Sequence, residues 1–103
     1  MAGSVEKTYG DALFQLMVEQ QPDRLSDVLT ELGEINGIFS ENPEFIKLMK
    51  TPTVTAEEKL GLIKQAFEGR VCEYVYNFLM VLVQNNRIEW FEKIYGYFRS
   101  LHN

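Results

Sequence analysis

Residues 71–83, VCEYVYNFLMVLV, constrain the fold more than any other stretch of this sequence. Eleven of these 13 residues are apolar, and only Glu73 and Asn77 interrupt them. A helix on a protein surface needs one apolar stripe, whereas this segment is apolar on nearly every side. It is also too short to cross a bilayer. The segment is therefore either the buried centre of a helical domain or a helix with one face in the core and another face available to a partner.

The rest of the sequence also has helical periodicity, and no segment shows the alternating pattern of a β strand. A length of 103 residues indicates one domain spanning residues 1–103. Short connections between the helices favour an all-α fold, a compact six-helix bundle. The start and stop signals place the helices at about residues 5–20, 22–39, 43–50, 56–68, 70–84 and 87–101.

Several polar residues and glycines predict where these helices begin and end. Thr55 and Glu58 have the spacing of a capping box, in which each side chain accepts a hydrogen bond from the backbone of the other. Gly33 and Gly37 share one face of the second helix, which indicates either a closely passing neighbour or an exposed, weakly stable patch. The residues expected to cap or terminate helices are Ser4, Asn42, Thr55, Gly69 and Asn86.

Charge is distributed unevenly along the chain. Residues 1–46 contain nine acidic and two basic side chains, a balance of -7, whereas residues 47–103 contain six acidic and eight basic ones, a balance of +2. An acidic half repels phosphate backbones, which makes nucleic acid a poor candidate partner. A basic peptide, or the basic side of an amphipathic helix, is a better candidate, unless these charges only solvate exposed helix faces.

The sequence offers little that resembles an active site, and we expect neither an enzyme nor a bound cofactor or metal. His102 is the only histidine and lies near the end of the chain, while Cys72 is the only cysteine and is expected to be a buried structural thiol. No cluster has metal-ligand spacing, and the glycines form no phosphate loop. One cysteine forms no disulfide framework, and residues 1–10 contain Glu6 and Lys7 rather than the apolar run of a signal peptide.

A second surface is predicted on the fifth helix. At 100° per residue, Val75, Phe78, Leu79 and Leu82 form a normal core face. Asn77 and Val81 lie on another face, which mixes amide and apolar side chains and suits a shallow groove for an amphipathic helix. The first helix has a comparable surface around Tyr9 and Ala12. Periodicity alone leaves open whether this surface binds a partner or is simply buried.

Three motifs then resemble those of one family, the ATP synthase delta subunit family, whose mitochondrial member is the oligomycin-sensitivity-conferring protein. Tyr9-x-x-Ala12-Leu13-Phe14 resembles its Y-x-x-A-L-F opening, although Gly10 stands where alanine is more usual, which should loosen the first helix slightly. Thr51-Pro52-x-Val54-Thr55-x-x-x-Lys59 resembles its P-x-[VL]-[ST] entry to the fourth helix. Asn77-Phe78-Leu79-x-x-Leu82-Val83-x-Asn85-x-Arg87-Ile88 resembles its N-F-L-x-x-L-x-x-N-x-R-[IL] stretch.

The resemblance implies a non-catalytic stator component that ties the catalytic head to the peripheral stalk. It further implies that a groove between the first and fifth helices binds the N-terminal helix of an alpha subunit. Leu13 and Leu16 are equally compatible with the core, and Arg87 is expected to satisfy carbonyls at the end of the fifth helix. Carried onto this sequence, the groove residues are Tyr9, Ala12, Leu13, Leu16, Tyr74, Asn77, Val81 and Gln84.

The resemblance covers the N-terminal domain of such a subunit and not its C-terminal, stalk-binding region. Contact with peripheral stalk subunits is therefore expected of the full-length protein only. The expected location is peripheral, on the cytoplasmic face of a bacterial inner membrane, without direct insertion. The alternative is another helical-bundle adaptor, such as a death-fold-like domain that mediates protein–protein contacts.

Overall fold

The computed structural model describes residues 4–102, and six α helices account for most of that range. Short 3-10 helices at Pro22–Arg24 and Ile88–Trp90 precede α2 and α6. No strand occurs between residues 4 and 102, which confirms the all-α, six-helix prediction. The helices are α1 (Val5–Gln20), α2 (Leu25–Glu41), α3 (Pro43–Met49), α4 (Ala56–Phe67), α5 (Glu73–Gln84) and α6 (Phe91–His102).

The described chain divides into two compact units. Residues 4–36 and 90–102 belong to the first unit, and residues 37–89 belong to the second. Residues 1–3 and 103 lie outside the described range. The two ends of the predicted 1–103 domain therefore lie outside it, and so do the first three of residues 1–10, which were expected not to form a signal peptide. The expectation of a single domain stays a prediction.

Helices α1 and α4 begin where their capping residues predict. The Ser4 hydroxyl accepts a hydrogen bond from the Lys7 amide at 3.3 Å, and α1 has the predicted bounds of 5–20. At α4, the Glu58 amide donates to the Thr55 hydroxyl at 3.1 Å, and the Thr55 amide donates to the Glu58 carboxylate at 2.9 Å. The predicted capping box is therefore confirmed.

The ends of α4 and α5 use left-handed backbone. Gly69, just beyond α4, has a φ of 76°, and Asn86, just beyond α5, has a φ of 57°. The Arg87 amide donates to the Leu82 carbonyl at 2.7 Å and the Asn86 amide to the Val83 carbonyl at 3.1 Å, which is the Schellman arrangement. Arg87 thus satisfies a carbonyl of the last turn, as expected, and its side chain donates to the Asn86 carbonyl at 3.4 Å.

Other boundaries differ from the prediction. Helix α5 begins at Glu73 rather than near residue 70, because Cys72 has the extended backbone of a cap position. The predicted cap at Asn86 is followed by a 3-10 turn, so that α6 begins only at Phe91. Asn42 precedes α3 without capping it, since its side-chain amide donates to the Ile38 carbonyl in the last turn of α2 at 2.8 Å.

Each unit buries its own set of apolar side chains, and α5 supplies more of them than any other helix. In the first unit these are Leu13, Met17, Val28, Leu32, Ile35, Phe91, Ile94 and Phe98. In the second unit they are Phe39, Met49, Ile63, Phe67, Val75, Phe78, Leu79, Leu82, Val83 and Ile88.

Within the first unit, α6 packs against α1, and its Tyr95 side chain reaches α2. A Cβ atom added at Gly10 would lie 2.5 Å from Cδ2 of Tyr97, so the Tyr97 ring packs against the α1 backbone as only glycine permits. A Cβ at Gly33 would lie 2.9 Å from the Tyr95 hydroxyl, whereas one at Gly37 would meet nothing within 4 Å. Of the two alternatives left open for these α2 glycines, close approach holds for Gly33 and open exposure for Gly37.

Candidate partner-binding surfaces

Three of the predicted contact residues form one side of α1, which we call the α1 stripe: Tyr9, Ala12 and Leu16. Tyr9 is half-buried, Ala12 is exposed, and Leu16 is 40% exposed. Positions 9, 12 and 16 have the i, i+3, i+7 spacing of one helix face. The α1 stripe therefore combines an amphipathic ring, a small residue that permits close approach and an accessible aliphatic side chain.

Leu13 does not belong to the α1 stripe, which corrects its assignment as a contact residue. Its side chain is only 2% exposed, as is expected of a core position. Leu13 lies 40° around the helix from Tyr9, toward the buried positions Gly10 and Met17. Of the two alternatives left open for Leu13 and Leu16, the structure assigns Leu13 to the core and leaves Leu16 accessible.

Contacts with α6 hold α1 by another side. The Tyr97 hydroxyl donates to the Asp11 carboxylate at 2.7 Å, and the Lys7 ammonium donates to the same carboxylate at 3.0 Å. The Phe14 ring packs edge-on against Phe98, with the centroids 5.6 Å apart. Residues 11 and 14 point away from the α1 stripe, so these contacts with α6 lie on another side of α1 than the stripe.

The Lys7–Asp11–Tyr97 cluster shifts the titration of its charged members. The hydrogen bond from Tyr97, followed by that from Lys7, holds the pKa of the Asp11 carboxyl below its usual value. Asp11 in turn raises the pKa of the Lys7 ammonium, chiefly through their hydrogen bond. Both groups therefore remain charged at neutral pH, on the side of α1 that contacts Tyr97.

The other four predicted contact residues lie on α5 and form what we call the α5 stripe: Tyr74, Asn77, Val81 and Gln84. Tyr74 is half-buried, Asn77 and Gln84 are exposed, and Val81 is 41% exposed. The opposite side of α5 is buried and consists of Val75, Phe78, Leu79, Leu82 and Val83. Helix α5 thus has one face in the core and one accessible face, and it is not buried on all sides.

The α1 stripe lies in the first unit and the α5 stripe lies in the second. A groove built from both stripes stays a prediction. Each stripe separately has accessible apolar side chains, and the α5 stripe adds amide groups that keep such a surface soluble.

An apolar pocket on the second unit had no counterpart among the predicted sites. Its volume is about 300 Å³. The Phe39 ring stacks on Phe45 at 5.5 Å and meets Phe67 edge-on at 6.0 Å, which fixes one wall. The sequence predicted the apolar face of α3, but it did not predict that this face packs beside residues of α2 and α4 to form a pocket. The lining residues are Ile38, Phe39, Asn42, Glu44, Phe45, Leu48, Ala66 and Phe67.

The remaining candidate residues show no arrangement of an active site. Cys72 is half-buried at the start of α5, rather than fully buried within the helix as expected. His102 is exposed in the last turn of α6. Between residues 4 and 102, no group of three or more His, Cys, Asp or Glu side chains is placed to hold a metal ion. None of the described helices has the length and apolar character needed to cross a membrane.

Comparison with known proteins decides the family. The family model described as ATP synthase delta (OSCP) subunit matches residues 5–103. The chain belongs to the ATP synthase delta (OSCP) subunit family. The match covers the α1 stripe, the α5 stripe and every described helix.

Curated members of the delta subunit family show the same similarity. An ATP synthase subunit delta from Lachnoclostridium phytofermentans is 38% identical over 98 residues, which are 95% of this chain and 53% of the relative. One from Alkaliphilus oremlandii is 37% identical over 94 residues, 91% of this chain and 51% of the relative. One from Brevibacillus brevis is 33% identical over 103 residues, 100% of this chain and 58% of the relative. The chain thus spans about half the length of the curated relatives it matches.

Proposed function

We propose that this chain acts as a non-catalytic stator component of an F-type ATP synthase by binding the N-terminal helix of an alpha subunit. The α1 and α5 stripes together would form the docking surface, and the bound helix would help to link the catalytic head to the peripheral stalk. Stalk subunits would be partners of the full-length protein. The complex would place the chain at the cytoplasmic face of a bacterial inner membrane.

One observation supports this proposal above the others. Helix α5 keeps Asn77, Val81 and Gln84 exposed although its opposite face is fully buried. The accessible valine between two amides offers apolar contact area that the core does not use. Mixed apolar and amide surfaces suit the docking of an amphipathic helix, because the apolar anchors contribute affinity and the amides fix its register.

Charge supports the same class of partner. Residues 1–46 have a balance of -7, and α1 itself carries Glu6, Asp11 and Glu19 against one lysine. An amphipathic helix with basic residues on its polar side would be attracted to this surface, and its association rate would fall with added salt. The proposed role is mechanical, since this chain would make or break no covalent bond. The mechanical load on the stator would be carried by an interface of about 1,200–1,600 Å² between the chain and the bound helix.

The test is a titration of the chain with a peptide matching an alpha-subunit N-terminus, followed by amide chemical shifts. We expect the shift changes to concentrate in residues 9–16 and 74–84. Replacing either Leu16 or Val81 with glutamate should weaken binding at least tenfold, about 1.4 kcal/mol, because a charge would enter an apolar contact.

Val18 provides a matched control for Leu16. It is also on α1 and also exposed, at 44%, but it points to another side of the helix. Val18→Glu should leave the affinity for the peptide within twofold of the unmodified chain. The proposal is wrong if Val18→Glu weakens binding as much as Leu16→Glu, or if the shift changes centre on α2 and α6.

A further inference from the structure

One carboxylate oxygen of α1 is buried without a hydrogen-bond partner. This atom is Oε1 of Glu6, and no donor among residues 4–102 reaches it. The residue as a whole is half-buried, so its carboxylate lies at the edge of the core and not deep inside it. An oxygen that leaves water without gaining a donor raises the free energy of the folded chain, and native structures rarely contain such an atom without a reason.

The nearest donors in the sequence already serve other acceptors. The Lys7 amide donates to the Ser4 hydroxyl at 3.3 Å, and the Thr8 amide and hydroxyl both donate to the Ser4 carbonyl at 3.0 Å. The Lys7 ammonium donates to the Asp11 carboxylate, also at 3.0 Å. Although the helix dipole favours an acidic residue in a first turn, these donors of the first turn are therefore not available to Glu6.

No cation of the described chain compensates this carboxylate either. Glu6 forms no ion pair with a lysine, arginine or histidine between residues 4 and 102. Lys7, the only basic residue of α1, is held by Asp11 on another side of the helix. The missing donor is thus a positively charged group that this part of the chain does not supply.

Glu6 borders the α1 stripe at its N-terminal end. It lies three residues before Tyr9 and about 60° around the helix from it, toward the buried side that contains Gly10 and Leu13. Long side chains of a helix lean toward its N-terminus, so Glu6 extends the surface of the stripe by about one turn. The carboxylate therefore stands at one end of this surface and Leu16 at the other, about 15 Å away along the helix axis.

We propose that Glu6 pairs with one basic side chain of the helix that docks on the α1 stripe, and that this pair sets the register and direction of the docked helix. The inference rests on the function proposed above and names one contact within it. An arginine or a lysine supplies both the charge and the donors that the carboxylate lacks. A charge pair at the edge of an apolar interface contributes mainly to specificity and register.

The spacing along α1 also places the basic residue in the docked helix. An apolar side chain that packs on Leu16 lies about 15 Å from a group that reaches Glu6, which corresponds to about seven to eleven residues of helix once the length of the basic side chain is included. The docked helix runs parallel to α1 if its basic residue precedes the apolar anchor, and antiparallel if the basic residue follows it.

A double-mutant cycle on the binding affinity tests this pair. The probe is the peptide matching an alpha-subunit N-terminus, and each of its basic residues is replaced in turn by glutamine. With the unmodified chain, one of these replacements should weaken binding at least about fivefold, and with Glu6→Gln the same replacement should change the affinity less than about twofold. Losses that are equal with both chains for every replacement would overturn the inference.

Glu34→Gln is the matched control for the loss of charge. Glu34 is an exposed glutamate on α2 in the same unit, and its replacement removes one negative charge from another helix. Glu6→Gln should weaken binding of the unmodified peptide at least about fivefold, and Glu34→Gln less than about twofold. Equal effects would show only long-range attraction, and an unchanged affinity of Glu6→Gln would show that water alone satisfies the carboxylate; either result contradicts the pair. If Glu6→Gln fails to fold, Glu6→Asp takes its place in the cycle, since a shortened carboxylate should also lose the coupling.

The same titrations distinguish failure of this contact from failure of the proposed function. Saturable shift changes at residues 9–16 and 74–84 without any coupling to Glu6 would overturn the contact and leave the docking surface standing. If the peptide does not bind to the unmodified chain, both the docking surface and the Glu6 contact are wrong.

Discussion

The α1–α6 contact of the first unit and the α4–α5 contact of the second unit hold two helices together with different kinds of side chain. Helices α1 and α6 meet where α1 has no side chain, at Gly10, and the Asp11 carboxylate accepts hydrogen bonds beside that point. Helices α4 and α5 also pack together, but through large apolar residues on their buried faces. A contact that depends on the absence of a side chain at a glycine has no room for an added methyl group. A contact between large apolar faces accepts substitutions that conserve the total side-chain volume.

The helix ends sharpen this contrast. In the second unit, α4 and α5 are bounded by a capping box and by left-handed residues at Gly69 and Asn86. In the first unit, the polar interactions of α1 extend to α6 through Tyr97. The register of α1 on α6 is therefore fixed by tertiary contacts, while α4 and α5 are bounded by interactions within their own segments.

The largest effect is expected from Gly10→Ala. The new methyl group would lie 2.5 Å from an inner ring carbon of Tyr97, which forces the two helices apart. We expect a loss of about 1–3 kcal/mol in the free energy of unfolding, measured by urea denaturation. Repeating the substitution in a Tyr97→Ala background removes the clash, and there alanine should stabilise α1 through its higher helix propensity. A loss of equal size in both backgrounds would show that the ring is not the cause.

A smaller effect of opposite sign is expected from Gly37→Ala. Nothing lies within 4 Å of the added methyl group, and Gly37 is an exposed residue inside α2. Alanine should therefore raise the free energy of unfolding by about 0.5–1 kcal/mol. Gly33→Ala is the control on the same helix, since its methyl group meets the Tyr95 hydroxyl at 2.9 Å. If Gly33→Ala stabilises the chain as much as Gly37→Ala, that contact is not restrictive.

The smallest expected effect is a pH dependence of the free energy of unfolding, which arises from one hydrogen-bonded carboxylate in each unit. The amide and hydroxyl of Thr55 lower the pKa of Glu58 below its usual 4.5, and Tyr97 with Lys7 lowers that of Asp11 below 3.8. A carboxyl with a lowered pKa in the folded chain stabilises it above the unfolded pKa, and this contribution is lost as the pH falls through the folded value. Glu58→Gln and Asp11→Asn should therefore destabilise the chain more at pH 7 than at pH 3, in urea denaturation. The same loss at both pH values would show that the charge of the carboxylate is not what matters.

Much of the fold could be predicted because helix ends are encoded locally. Ser4 and the pair Thr55–Glu58 fixed two starts, and left-handed Gly69 and Asn86 marked two ends. The start of α5 was placed too early, because the apolar pattern continues through Val71 and Cys72 although the backbone there is not helical. Periodicity reports which side of a helix is apolar, not where the helix begins.

The candidate sites were predicted less completely, for a related reason. The spacing of Asn77, Val81 and Gln84 predicted a second face of α5, because one helix determines it, but only the structure shows that this face is accessible and not buried. Leu13 could not be separated from Leu16, since both lie at the edge of the apolar face and only packing decides which one is covered. The apolar pocket combines residues of α2, α3 and α4, and the pattern of a single helix does not predict which helices come together.

The close approach at Gly10 also constrains how this family can diverge. A relative with alanine at this position has no room for a tyrosine ring in the place of Tyr97, unless its two helices lie farther apart. The two positions should therefore be inherited as a pair, with a small residue at the first wherever a broad ring occupies the second.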